Sequence, residues 1–228
     1  MTPDRGVFVT FEGGDGSGKT TQLRRLAVHL RKAGREVLET REPGGAPGAE
    51  EIRRLVLEGA PGRWSPVSEL LLFNAARRDH LEHTIRPALA RGAVVLCDRF
   101  ADSTRVYQSA GRADGTPGAD PALVEDLHRL VIGMEPDLTL ILDIDPTLGL
   151  TRGFARGGTE TRFESLGADF QTRIREGFRA IAAKHPHRCR LIDASGDMDT
   201  VAARVRAAAA DLLSRNPEAL PESPAHGD

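Results

Sequence analysis

The stretch VFVTFEGGDGSGKTTQL, residues 7–23, decides the fold of this 228-residue chain. Its first part, Val7 to Phe11, is short, apolar and β-branched and runs into a glycine cluster. Apolar residues then recur at Leu23, Leu26, Ala27 and Leu30 with helical spacing. The order reads strand, loop, helix. Gly13, Gly18, Lys19 and Thr20 fill the template GxxxxGK[ST] between the two elements, where its mechanism requires it. Glycines let backbone N–H groups converge on phosphate oxygens, and a helix N-terminus adds partial positive charge. Gly13, Gly14, Asp15, Gly16, Ser17, Gly18, Lys19, Thr20 and Thr21 are therefore candidate ligands of ATP. Lys19 is expected along the β- and γ-phosphates and the Thr20 hydroxyl on Mg²⁺. The motif establishes a nucleotide, not a reaction.

Outward from this stretch the pattern recurs. Val37 to Thr40, Ala93 to Cys97, Leu138 to Asp143 and Cys189 to Ile192 read as strands. Between them, Ala49 to Leu57, Glu69 to Ala90, Pro121 to Ile132, Asp169 to Lys184 and Thr200 to Leu213 read as helices, the second punctuated by Pro87. Parallel strands need crossover connections, so strands separated by helices predict an α/β chain. The expected fold is that of P-loop NTPases, a five-stranded parallel sheet with helices on both faces. One domain is expected over residues 1–214, with a mobile, Arg- and Gly-rich lid at about 152–166. Residues 215–228, proline-rich and poor in apolar side chains, read as a disordered tail.

Bulk composition excludes several classes. Lys and Arg total 31 against 33 Asp and Glu, so no global field draws the chain to nucleic acid or an anionic membrane. Any anion site is local. Cys97 and Cys189, each beside a buried strand, fit reduced core thiols and a cytoplasmic setting. No apolar run reaches the ~20 residues of a membrane span. A GTPase would carry a guanine-reading Asn-Lys-x-Asp segment, which is absent. A small kinase acting on a phosphate acceptor is favoured, with a nucleotide-dependent binding module as the rival from another class.

Six ordered blocks, EGGDGSGKTTQ (12–22), TREPGG (40–45), LLFNAARRDH (71–80), DRFADSTRVYQ (98–108), LDIDP (142–146) and TRFES (161–165), resemble bacterial thymidylate kinases over nearly the whole chain. The resemblance implies transfer of the γ-phosphoryl group of ATP to dTMP, with Mg²⁺ as cofactor and a homodimer as the working unit. Another P-loop nucleotide or nucleoside kinase is the nearest alternative. By the same resemblance Asp15 meets the 3′-hydroxyl of the deoxyribose. Arg41 and Glu42 act as a pair shaping the acceptor site, with Glu42 near the metal and the transferring phosphate. Phe73 stacks on thymine beside Arg77; the two share a helix face at i, i+4, where core packing and solvation remain open on residue type alone. Arg99 clamps the acceptor phosphate after the metal partner Asp98. Ser103, Thr104 and Gln108 bond the nucleotide, and Tyr107 blocks a 2′-hydroxyl. Trp64 and His80 are read as structural.

Some members of that family carry an Arg where Gly16 stands. The subtype lacking it has lid arginines instead, which here are Arg152, Arg156 and Arg162. Arg156, aided by Arg152 or Arg162, is the expected finger on the transferring phosphoryl group. The family's Asp-Arg-[Ile/Phe]-Glu reads Thr161-Arg162-Phe163-Glu164, a departure within the lid.

Overall fold

The computed structural model describes residues 6–59, 62–111, 116–154 and 167–214. Five strands form one sheet: β1 (Val7–Glu12), β2 (Val37–Arg41), β3 (Val94–Asp98), β4 (Leu138–Asp143) and β5 (Cys189–Asp193). All pairings are parallel, in the order β2-β3-β1-β4-β5. The expected P-loop α/β fold is the observed one, and each strand lies within two residues of its expected bounds.

Both faces of the sheet are covered, which is why the inner strands read as unbroken apolar runs. On one face Val7, Val9 and Phe11 of β1 pack with Leu23, Leu26 and Leu30 of α1 (Lys19–Lys32) and Val201 and Val205 of α9 (Met198–Ser214). On the other, Phe8, Val95 and Cys97 pack with Leu81, Ile85 and Ala88 of a long helical segment. That segment runs from α3 (Pro66–His80) through a π-helical turn (Leu81–Ile85) into α4 (Arg86–Ala90). Pro87 falls in the first turn of α4, directly after the π-helical turn. The same face continues with α5 (Ala101–Tyr107), and with α8 (Gly167–Lys184) through Phe170, Ile174 and Phe178. Cys97 and Cys189 are free and buried.

From β1 the chain first builds one side of the sheet, through α2 (Pro47–Leu57) to β3. It then crosses to the other side, through α6 (Pro121–Leu127) and a second π-helical turn (His128–Ile132), to β4 and β5. The order reverses beside β1, and the carboxyl edge at such a switch point is a natural ligand crevice. The glycine-rich loop leaves β1 at that edge.

Two elements depart from expectation. α5 is a seven-residue helix where isolated polar groups were read, and α7 (Pro146–Phe154) precedes β5's crossover helix unannounced. The first three residues of the expected lid, 152–154, form the last turn of α7, whose Gly149 packs closely onto the loop after β1. Residues 155–166, with Arg156 and Arg162, and the tail 215–228 lie outside the described residues, as does the side chain of Arg152.

Candidate active site

The loop from Gly13 to Gly18 ends at the N-terminus of α1. Gly18 caps that helix at φ +91° with open space where a Cβ would stand, and no acidic residue lies in the first turn. The unpaired N–H groups there face no competing carboxylate on their own helix, which suits an anion. Lys19 is buried, and its Nζ donates to Gly13 O (3.1 Å) and Gly14 O (2.8 Å). Burial, then the Arg99 charge, lowers its pKa to about 8. A phosphate in the loop would supply an opposite charge that favours the ammonium further.

Arg99 is the hub. It follows β3 with φ +72°, a left-handed conformation unusual for a non-glycine residue and held here by two bonds: its own N–H donates to Phe11 O (2.9 Å), and the Cys97 thiol donates to its carbonyl (3.0 Å). The result aims the guanidinium back across the loop. Nη2 donates to Asp15 Oδ1 (2.7 Å) and Tyr107 OH (3.1 Å); Nη1 donates to Gly13 O (3.1 Å) and Ser103 Oγ (3.0 Å). The cation also lies 4.9 Å from the Tyr107 ring centroid. Burial favours the neutral form of Asp15, but Arg99 and Lys19 outweigh it and hold this carboxyl below its ordinary value.

A second cation stands beside it. Arg77 on α3 is buried, donating from Nε to Glu42 Oε2 (2.6 Å) and from Nη2 to Thr104 Oγ1 (2.9 Å) and Phe100 O (3.1 Å). His80 Nδ1 meets Glu42 Oε1 at 3.0 Å, and its Nε2 meets Thr40 Oγ1 at 2.7 Å. Phe73, half-buried, lies one turn before Arg77 on α3. Gln108 Nε2 donates to buried Glu69 Oε1 at 3.2 Å, which settles which way its amide points, since a carboxylate only accepts. Thr20 Oγ1 donates to Asp98 Oδ2 at 2.5 Å.

A family model described as thymidylate kinase matches residues 11–205. The chain belongs to the thymidylate kinase family. A thymidylate kinase of Ruegeria pomeroyi is 61% identical over 200 residues, covering 88% of this chain and 92% of that one. Another, from Caulobacter vibrioides, is 56% identical over 203 residues, covering 88% and 94%. Among solved structures, the thymidylate kinase from Ehrlichia chaffeensis superposes with a TM-score of 0.70 at 37% identity, covering 92% of this chain and 99% of that one.

Of the residues read from sequence, the thymidylate kinase fold brings Asp15, Lys19, Arg99, Ser103 and Tyr107 into one cluster and Arg77, Thr104 and Glu42 into an adjoining one. Arg41 and Glu42 do not pair with each other. Arg41 is exposed and bonded to Glu50 (3.0 and 3.1 Å), whereas Glu42 turns inward to Arg77 and His80. Neighbours on an extended strand point to opposite sides, so a strand-end pair separates. Glu42 is thus a buried anchor for Arg77, with both its oxygens engaged. Glu69 and Glu12 were not among the residues read for the site, while His80, read as structural, braces Glu42 and Thr40. Of these, Glu12 had a sequence signal, an acid ending a buried strand that is apolar but for Thr10.

Proposed function

We propose that this chain transfers the γ-phosphoryl group of ATP to dTMP, giving ADP and dTDP. The loop of residues 13–21 holds the donor phosphates, Arg99 clamps the acceptor phosphate, and Phe73, Arg77, Thr104 and Gln108 receive the base. Asp15 and Tyr107 face the sugar. The observation that supports this most is Arg99: a residue with left-handed backbone whose partly exposed guanidinium lies between the phosphate loop and Tyr107, where an acceptor would meet the donor. Its planar fork suits bidentate phosphate binding, and an incoming phosphate would compete with Asp15 for Nη2, freeing that carboxylate for a sugar hydroxyl.

The acceptor is already an oxyanion, so no protein base is needed and catalysis reduces to alignment and charge compensation. Thr20 and Asp98 form an all-oxygen donor pair that suits Mg²⁺, which takes few protein ligands and keeps water and phosphate for the rest. When bound there the metal would offset charge on the phosphoryl oxygens. Lys19 would leave Gly13 O and Gly14 O for the donor phosphates. Arg156, with Arg152 or Arg162, would bring further positive charge from the lid.

We place the working protein in the cytoplasm as a homodimer; among the described residues no helix is long and apolar enough to cross a membrane. Half-exposed Val67 and Leu71 lie one turn apart on α3, and Leu130, on the π-helical turn packed against α3, is 69% exposed, so an apolar face is available to a second copy. The decisive experiment is ADP production from MgATP with dTMP, dUMP, AMP, CMP or thymidine as acceptor. Preference for dTMP is expected, and equal turnover of the others would overturn the reading.

A further inference from the structure

Glu12 ends β1, fully buried, one residue before the phosphate loop. Its Oε1 accepts from the backbone N–H of Phe100 (2.7 Å) and Ser103 (3.3 Å), and its Oε2 accepts from the Ser103 hydroxyl (2.6 Å). Ser103 has one hydroxyl proton. Because that proton is given to Glu12, the lone pairs of Ser103 Oγ are left to accept from Arg99 Nη1 at 3.0 Å. A directed chain results, Arg99 to Ser103 to Glu12.

From this geometry we infer that Glu12 is a positioning residue for the acceptor: through Ser103 and the Phe100 N–H its carboxylate fixes the guanidinium of Arg99. The inference rests on the reading of Arg99 as the phosphate clamp. No other carboxylate spans β1 and the turn Phe100 to Ser103 among the described residues, and this turn carries both Arg99's neighbour and the start of α5. Without the anion, Ser103 is free to turn its proton toward Arg99, where donor would face donor.

The arrangement is unfavourable for stability, which separates positioning from bracing. Burial first, then the nearby Asp102 charge, raises Glu12 to about 7, against the attraction of Arg99 and the bonds from Ser103 and Phe100. Lys19, Tyr107, Cys97 and Cys189 also feel its charge. With the folded pKa raised, the stabilising contribution is present below about 4.5 and is lost as pH rises through about 7. Above neutrality the fold carries an ionised, buried group that serves the site.

The test compares wild type, Glu12→Gln, Ser103→Ala, the double variant and Arg99→Lys by KM for dTMP, KM for ATP, and thermal unfolding at pH 8. Glu12→Gln keeps the shape and the two backbone bonds. It is expected to raise KM for dTMP roughly tenfold, through loss of a charge-assisted link, with KM for ATP within about twofold. It is also expected to melt at least about 3 °C higher at pH 8. The double variant should be no worse than the poorer single one, because both cut the same chain. Equal rises in both KM values, additive effects, a lower melting point or failure of Glu12→Gln to fold would each overturn the inference and leave Glu12 a structural brace. If Arg99→Lys leaves KM for dTMP unchanged, the clamp reading itself fails; if only Arg99→Lys moves it, the clamp stands and the role of Glu12 falls.

Discussion

Arg77 shows how a single side chain can serve fold and site at once. Its ion pair with Glu42 is shielded on both sides, each side chain about 3% exposed. Removing one member leaves the other desolvated without a counter-charge, so Arg77→Ala should cost roughly 3–5 kcal/mol in urea unfolding. Replacing both partners with apolar residues of similar volume, Arg77→Met with Glu42→Leu, should recover most of that loss, since a buried pair gains little over good packing. Acceptor binding should not recover, because Thr104 Oγ1 has still lost its cation. A double variant that regained both stability and KM for dTMP would show Arg77 to be structural alone. Lys19 contrasts with it. Its bonds go to loop carbonyls, and Lys19→Met should lower kcat at least about 10²-fold while changing the unfolding midpoint little, as expected for charge stabilisation of the transferring group. A stopped assay with both substrates saturating reads this directly.

Among elements, α7 explains a feature of the phosphate loop that sequence only recorded. Gly16 has φ +72°, and a Cβ there would stand 1.9 Å from Gly149 O; a Cβ on Gly149 would stand 2.8 Å from Asp15 O. The backbone of α7 thus rests on the loop at two glycines, and no side chain fits at Gly16 while it does. That is the physical counterpart of the missing loop Arg. Gly16→Arg should therefore not add a useful cation. It should displace α7 and the chain beyond it, reducing kcat/KM for ATP at least about tenfold, and Gly149→Ala should do the same in milder form. Activity that rises in Gly16→Arg would refute the packing argument.

The same scale shows what was legible. The inner strands β3, β1 and β4 were readable because parallel strands buried on both faces are largely apolar runs with sharp ends, and the short edge strands β2 and β5 were readable from their β-branched and apolar residues between helices. α5 was not, because three of the five residues it buries, Asp102, Ser103 and Thr104, are polar and interrupt the apolar periodicity that marks a helix. α7 was hidden by the glycine that lets it pack. For the site, the motif and the family pattern located Arg99, Asp15 and Tyr107. Neither pattern could show that Glu42 turns away from Arg41 to Arg77, or that Glu69 orients Gln108, because partners 35 and 39 residues apart meet only in the folded chain.

At the scale of the molecule, the long helical segment holds the site on its inner side and an apolar strip on its outer side. Arg77 and His80 face inward, while Val67 and Leu71, on the same helix, are about half exposed, as Leu130 is more fully. Exposed apolar side chains clustered on one helix favour a partner surface, and a second copy of the same helix satisfies it with two-fold symmetry. Such a contact would fix α3 from outside and so steady Phe73 and Arg77 within. Leu71→Glu with Val67→Lys should therefore yield monomers in sedimentation velocity and raise KM for dTMP several-fold, with KM for ATP nearly unchanged, since the phosphate loop lies on β1 and α1. A double variant that remained dimeric would remove α3 from the interface, and one that became monomeric with unaltered KM for dTMP would show the acceptor site to be complete within a single chain.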